Sequence, residues 1–215
     1  MKYDAVVFDL DGTLIDTLED LMDSVNYALD EFGFPARTYE EIRTFVGNGV
    51  RRLVYLSVPE GTPDDVSEKC LDVFKAHYLH NSRNKTKPYK GIPELLKAIF
   101  AAGFKTAVVT NKMQDAAVDI VRGFFGDSIH VIIGQVDGVA KKPEPDGVWL
   151  ALDKLGVSRD RAVYVGDSEV DCMTAHNSKL PCIGVTWGFR GRKVLEDNGA
   201  EFIVSDPKEI LDIIK

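Results

Sequence analysis

Apolar positions along the chain follow three successive patterns. Ala5, Val6, Val7 and Phe8 form a short unbroken apolar run, which predicts a strand buried on both faces. Over residues 18–32, apolar side chains recur at Leu18, Leu21, Met22, Val25, Ala28, Leu29 and Phe32. That i, i+3, i+4, i+7 spacing predicts a helix with one buried stripe, started by Asp16 or Thr17 and stopped by Gly33. Helical spacing continues over 39–46, 50–57 and 63–80. The last of these has Thr62 as expected N-cap, Pro63 in the first turn and Asp65 three residues after the cap. No window between 17 and 82 alternates as a strand would.

The polar run Asn81-Ser82-Arg83-Asn84-Lys85-Thr86-Lys87-Pro88 predicts a linker. Beyond it, helices expected at 93–102, 114–124, 146–155, 169–177, 191–198 and 207–214 alternate with strands expected at 104–109, 129–133, 162–165, 182–186 and 202–204. Such alternation predicts an α/β fold, a doubly wound and mainly parallel sheet covered on both faces. The first strand is cut off from the others by the helical stretch. The expected organisation is therefore a discontinuous α/β core domain of residues 1–15 and 86–215, with an all-helical cap domain of 16–85 inserted after strand one.

Composition narrows the function classes. Hydrophobic residues make up 45% and charged residues 28%, as in ordinary globular proteins. With 34 acidic against 26 basic residues the formal net charge is −8, which argues against nucleic acid and anionic membrane surfaces as partners. Acids interrupt the apolar run at the N-terminus, so a secretory signal is not expected, and no window approaches the roughly 18 apolar residues of a membrane span. Cys70, Cys172 and Cys182 are odd in number and form no Cys-x-x-Cys pair. They read as reduced, buried thiols in a cytoplasmic protein, without a zinc site.

Ligands of doubly wound sheets bind at the carboxyl ends of the strands. Here those ends carry Asp9-Leu10-Asp11-Gly12-Thr13, then Thr110-Asn111, and later Gly166-Asp167-Ser168-Glu169-Val170-Asp171, while a loop supplies Lys141-Lys142-Pro143-Glu144-Pro145. Each has a plain structural reading by itself: a turn, a helix cap, a helix N-terminus, a solvated lysine. Together they bring carboxylates, a hydroxyl and a cation to one rim. Trp187, just past a strand and followed by Gly188, is placed to reach the rim, although packing is the favoured reading. Gly47-x-Gly49-x-x-Arg52 lacks the third glycine of a dinucleotide fingerprint and follows a helix, so NAD and FAD are not expected.

In this order the motifs resemble those of the haloacid dehalogenase superfamily, and the resemblance spans the whole chain. Asp9-Leu10-Asp11-Gly12-Thr13-Leu14 matches its first motif, Thr110 its second, Lys142 its third, and Gly166-Asp167 with Asp171 its fourth. Asp9 to Thr17, Val46-Gly47-Asn48-Gly49 and Lys142-Pro143-Glu144-Pro145 resemble the phosphoglycolate phosphatase-like group. The resemblance implies a magnesium-dependent phosphatase acting on a small phosphorylated metabolite, as a monomer or homodimer. Asp9 would be the nucleophile and Asp11 the general acid and base. The metal site would comprise the Asp9 side chain, the Asp11 backbone carbonyl and Asp167, with Asp171 supporting it through water and positioning Lys142. Gly12, Thr110, Asn111 and Lys142 would surround the phosphoryl group. Relatives that act as pyrophosphatases, nucleotidases or phosphosugar mutases remain alternatives, as does a non-catalytic phospho-ligand regulator.

The segment before the helix at 50–57 adds a specificity expectation. Val50, Leu53 and Val54 share a face from which Arg51 projects away, and the Gly47-Asn48-Gly49 turn starts the helix. Gly47, Asn48 and Arg51 are thus candidates for binding the non-reacting end of an anionic substrate; Arg52 reads as solvated.

Overall fold

In the computed structural model, which describes residues 2–215, strand β1 (Ala5–Phe8) leads into the two-residue strand β2 (Ile15–Asp16). Four helices follow: α1 (Leu18–Glu31), α2 (Tyr39–Phe45), α3 (Val50–Ser57) and α4 (Asp64–Asn81). The chain returns through β3 (Lys87–Pro88), which pairs with β2, and continues with α5 (Ile92–Ala101) and β4 (Lys105–Met113). Next come α6 (Gln114–Phe125), β5 (Val131–Gln135), α7 (Asp146–Leu155), β6 (Ala162–Gly166) and α8 (Glu169–Ser178). The C-terminal part contains β7 (Cys182–Val185), α9 (Arg192–Asp197), β8 (Phe202–Val204) and α10 (Lys208–Ile214). Two compact units result: the N-terminal segment through Ile15 together with Pro88–Lys215, and Asp16–Lys87.

The first unit is the α/β one. Its six-stranded sheet has the order β5-β4-β1-β6-β7-β8, and the pairings are parallel. β1 lies between β4 and β6, which explains its unbroken apolar sequence: all four residues are buried. Val6 and Phe8 enter one hydrophobic cluster with Leu96, Val108, Val165 and Ile183; Ala5 and Val7 enter a second with Ala107, Val148, Tyr164 and Leu195. The sheet therefore has a core on each face, as alternation of side chains along a strand requires.

The second unit is helical. α1 buries Leu18, Leu21, Val25, Ala28 and Leu29, the stripe its spacing predicts. α2 begins with a capping box between Thr38 and Glu41. Buried Asp20 accepts hydrogen bonds from the backbone N–H groups of Lys85 (3.0 Å) and Thr86 (2.8 Å), anchoring the returning segment. No described helix is long and apolar enough to cross a membrane.

Several boundaries differ from expectation. α4 begins at Asp64 with Pro63 at its N-cap; Thr62 instead donates its hydroxyl to the Pro59 carbonyl at 2.7 Å. At α1 the Asp16 carboxylate accepts from the Leu18 N–H at 3.2 Å, whereas the Thr17 side chain makes no cap bond. Ile129 is buried without pairing, so β5 runs over Val131–Gln135 rather than 129–133. β4 extends to Met113, four residues past its expected end, and its register against β5 shifts between Val109 and Met113. That irregularity falls on Thr110-Asn111, where strand chemistry and strand geometry both change. The three cysteines are free and buried, with the Cys172 and Cys182 sulfurs 3.9 Å apart.

Candidate active site

The carboxyl ends of β1, β4 and β6 assemble the site within the α/β unit. Asp9 follows β1 directly, is 7% exposed and extends the sheet bonding by donating its N–H to Val165 O at 2.9 Å. After it the chain turns at once. Gly12 has φ of +91°, and a Cβ there would lie 2.5 Å from Asp167 Oδ2. Glycine is thus required by both conformation and space.

Asp167 lies in the turn between β6 and α8, and Asp171 in the first turn of α8. Asp167 accepts the Phe189 N–H at 2.7 Å on Oδ2 and the Thr13 hydroxyl at 3.3 Å on Oδ1. Asp171 is fully buried and accepts five hydrogen bonds. Its Oδ2 takes Asp167 N–H (3.2 Å), Ser168 N–H (3.1 Å) and the Ser168 hydroxyl (2.6 Å). Its Oδ1 takes the Lys142 ammonium (2.8 Å) and the Tyr164 hydroxyl (3.1 Å). Asp171 therefore caps α8 and holds a cation with the same carboxylate.

That cation, Lys142, is buried and donates to Asp9 Oδ1 (2.6 Å), Asp171 Oδ1 (2.8 Å) and Tyr164 Oη (3.3 Å), one partner for each N–H of the ammonium. Its backbone is fixed by Asn111, whose amide accepts from Lys142 N–H (2.9 Å) and donates to Lys142 O (3.2 Å). Thr110 accepts the Lys112 N–H at 3.2 Å. Lys112 in turn places its ammonium 3.1 Å from Asp11 Oδ1, with side chains 6% and 18% exposed respectively.

The electrostatics follow from crowding charges out of water. Burial raises the Asp9 carboxyl well above the ordinary range, neighbouring Asp171 raises it further, and Lys142 opposes both. Burial, with Asp171 next, likewise pushes Asp167 up to about 7. For Lys142 burial acts to lower the pKa, but Asp171 and Asp9 outweigh it and the net direction is upward. With all four carboxyls ionised, as a bound cation requires, Asp9, Asp11, Asp167 and Asp171 against Lys112 and Lys142 leave two negative charges uncompensated. Ligand atoms of Asp9, Asp167 and Asp171 lie within 4.8 Å of one another, so this buried acidic triad can hold a metal ion. An all-oxygen donor set with two surplus negative charges fits a hard divalent cation.

All core candidates read from the sequence thus lie together: Asp9, Asp11, Gly12, Thr110, Asn111, Lys142, Asp167 and Asp171. Gly47, Asn48 and Arg51 belong to the helical unit. There Gly49, with φ of +84°, precedes α3, Leu53 and Val54 are buried, and Val50 is half-buried. Arg51 is committed: its guanidinium pairs with Glu68 Oε1 at 2.5 Å, lies over the Tyr55 ring and donates to the Tyr55 hydroxyl, which itself donates to Glu68.

Three contributors escaped the sequence reading. Lys112 shares strand parity with Thr110, a signal that could have revealed it. Tyr164 is a hydroxyl set in an otherwise aliphatic strand, and only its contacts show its purpose. Trp187 does more than pack. Its indole N–H donates to Thr13 O at 3.0 Å, while a Cβ on Gly188 would collide with Gly12 O and Asp167. The loop after β7 is thereby pressed against the Asp9–Thr13 turn.

Comparison with known proteins agrees with this geometry. The haloacid dehalogenase-like hydrolase profile matches residues 6–185. Phosphoglycolate phosphatase of Aquifex aeolicus (strain VF5) is 31% identical over 214 residues, covering 97% of this chain and 95% of its own length. Phosphoglycolate phosphatase of Mesorhizobium japonicum is 34% identical over 201 residues, covering 91% and 88%. The crystal structure of a Lactobacillus delbrueckii subsp. bulgaricus protein, provisionally named a phosphoglycolate phosphatase, superposes with a TM-score of 0.95 at 36% identity, covering 100% of this chain and 99% of that one. With its sheet, its clustered carboxylates and these relatives in accord, the chain is a phosphatase and belongs to the haloacid dehalogenase-like hydrolase family.

Proposed function

We propose that the protein hydrolyses a small phosphomonoester of the phosphoglycolate type, with magnesium, through an aspartyl-phosphate on Asp9. The observation that carries this reading is the Asp9 carboxylate itself, buried at the end of β1 with one oxygen held 2.6 Å from the Lys142 ammonium. A carboxylate fixed by one oxygen presents the other to phosphorus, which is covalent catalysis by an activated nucleophile. Asp11, two residues on and more exposed, protonates the leaving oxygen as the P–O bond breaks and later takes a proton from the attacking water. Lys142 and the Thr110 hydroxyl meet the charge developing on the transferring oxygens, and Gly12 lets the Asp167 carboxylate approach the turn after Asp9. Asn111 acts through the Lys142 loop that its amide holds.

Asp9, the Asp11 carbonyl and Asp167, with support from Asp171, would hold the magnesium ion, which would supply positive charge for the transferring oxygens. It would also cancel the two surplus negative charges of the cluster. Gly47, Asn48 and Arg51 are assigned to recognition of the substrate's non-reacting end.

The test is release of inorganic phosphate from a panel of phosphoglycolate, sugar phosphates, nucleoside monophosphates and pyrophosphate. It is run with magnesium and then with excess chelator, on the parent and on Asp9→Asn. Turnover should vanish in Asp9→Asn and on chelation, and phosphoglycolate should have the highest kcat/KM. Activity that survives chelation removes the metal from the reading; a preference for pyrophosphate or nucleotides replaces the substrate.

A further inference from the structure

Lys112 is a buried lysine that the proposed reaction does not use. Its side chain is 6% exposed, yet it is neither in the Lys142 network nor on a surface where an ammonium costs little. Burying a charge is unfavourable unless a specific partner receives it. A carboxylate partner here is Asp11 Oδ1, at 3.1 Å. The placement depends on the strand. Thr110 and Lys112 are both buried while Asn111 between them is half-buried, and the β4 register shift between Val109 and Met113 falls on these residues. Irregularities of this kind re-aim side chains beside active sites.

We propose that Lys112 is the positioning residue of Asp11. Its ammonium grips Oδ1, which orients the carboxyl group so that Oδ2 is the oxygen that carries the proton. In the first half-reaction the Oδ2 proton passes to the leaving oxygen, which keeps the electron pair of the breaking P–O bond, while Asp9 forms its own bond to phosphorus. Asp11 is then a carboxylate still gripped at Oδ1. In the second half-reaction Oδ2 takes a proton from water as the water oxygen bonds to phosphorus, and the bond to Asp9 breaks to restore its carboxylate. Lys112 never touches the reacting atoms; it acts by fixing which oxygen faces them. This inference rests on Asp11 being the general acid and base.

The experiment compares the parent, Lys112→Met, Lys112→Arg, Asp11→Asn and Asp11→Asn/Lys112→Met on phosphoglycolate, phenyl phosphate and dinitrophenyl phosphate at saturating magnesium. Met matches the buried stem of Lys112 without its charge, and Arg keeps the charge. A misdirected general acid matters most when the leaving group is poor. Lys112→Met should therefore lower kcat/KM by about 10- to 100-fold on phosphoglycolate and by much less on dinitrophenyl phosphate. Lys112→Arg should recover part of that loss. On phenyl phosphate, adding Lys112→Met to Asp11→Asn should cost little more, because a residue acting through Asp11 has nothing left to position. Equal losses on every leaving group, or losses that add in the double variant, overturn the proposal. So does a rise in KM confined to phosphoglycolate, which would make Lys112 a contact for the substrate carboxylate. Asp11→Asn reports separately on the general-acid reading: equal loss on all three substrates in that variant removes the reading and this inference with it.

Discussion

Asp171→Asn is an isosteric change whose consequence follows from counting donors. In the parent, two backbone N–H groups and the Ser168 hydroxyl converge on Oδ2, and Lys142 and Tyr164 converge on Oδ1. An amide has one oxygen for these two sets. With its NH2 toward the α8 N-terminus it faces two backbone donors that cannot turn away. With its NH2 toward Lys142 it faces an ammonium, and the Tyr164 hydroxyl must rotate to accept. The second orientation is cheaper and forfeits one charge-assisted hydrogen bond, worth about 1.5–3 kcal/mol. Lys142 then loses one of its two carboxylates and settles on Asp9, the proposed nucleophile. A transition-state deficit of that size lowers kcat/KM by about 10- to 150-fold. The assay is turnover of an aryl phosphate across a magnesium titration, for the parent, Asp171→Asn and Asp167→Asn. Asp171 accepts five protein hydrogen bonds, one of them from an ammonium, against a backbone N–H and a long hydroxyl contact on Asp167, so its variant should lose mainly kcat, and Asp167→Asn should need far more magnesium. If Asp171→Asn needs as much magnesium as Asp167→Asn and recovers parental kcat once saturated, the carboxylate ligates the metal directly and the positioning argument fails.

Three further outcomes are expected. Because the Asp9 and Asp167 carboxyls are raised in the metal-free fold, the stability they contribute is complete below the ordinary carboxylate pKa of about 4 and is lost as pH rises through the raised values, about 7 for Asp167. A divalent ion needs the ionised forms, so the rise in Tm on adding magnesium should be larger near pH 8 than near pH 5.5; equal shifts would contradict it. Gly188→Ala places a methyl group against Gly12 O and Asp167, and such overpacking costs about 1–3 kcal/mol, measurable by urea unfolding and accompanied by loss of turnover; parental stability would show that the loop is not pressed on the site. Arg51→Ala should lower kcat/KM for phosphoglycolate by about 10-fold or more and leave a neutral aryl phosphate nearly unchanged, whereas parallel losses would reduce Arg51 to a partner of Glu68.

The sequence by itself determined the α/β class, the helical insertion and the strand ends that carry chemistry. Those features are local: the unbroken run Ala5–Phe8 must be buried on both faces, and the period over 18–32 fits a helix and nothing else. The carboxylates at Asp9, Asp167 and Asp171 were legible because they stand at a strand end or in the first helical turn after one, where a parallel sheet gathers residues far apart in the chain. Their division of labour was not. That Asp171 spends both oxygens on protein donors while the Asp9 carboxylate has one of its oxygens held by Lys142 depends on how α8 and the Lys142 loop pack against β1 and β6. Strand ends set by register also lay beyond a one-dimensional pattern. β4 runs on to Met113 because its pairing with β5 continues past an irregularity, and that carries Lys112 to Asp11, 101 residues away in the chain. Tyr164 and Trp187 look like core residues in the sequence, since a hydroxyl or indole N–H inside an apolar pattern acquires meaning only when folding brings it a partner: Lys142 and Asp171 for one, the Thr13 carbonyl for the other. Periodicity reports which faces are buried, whereas hydrogen-bond partners between distant segments are decided by tertiary packing.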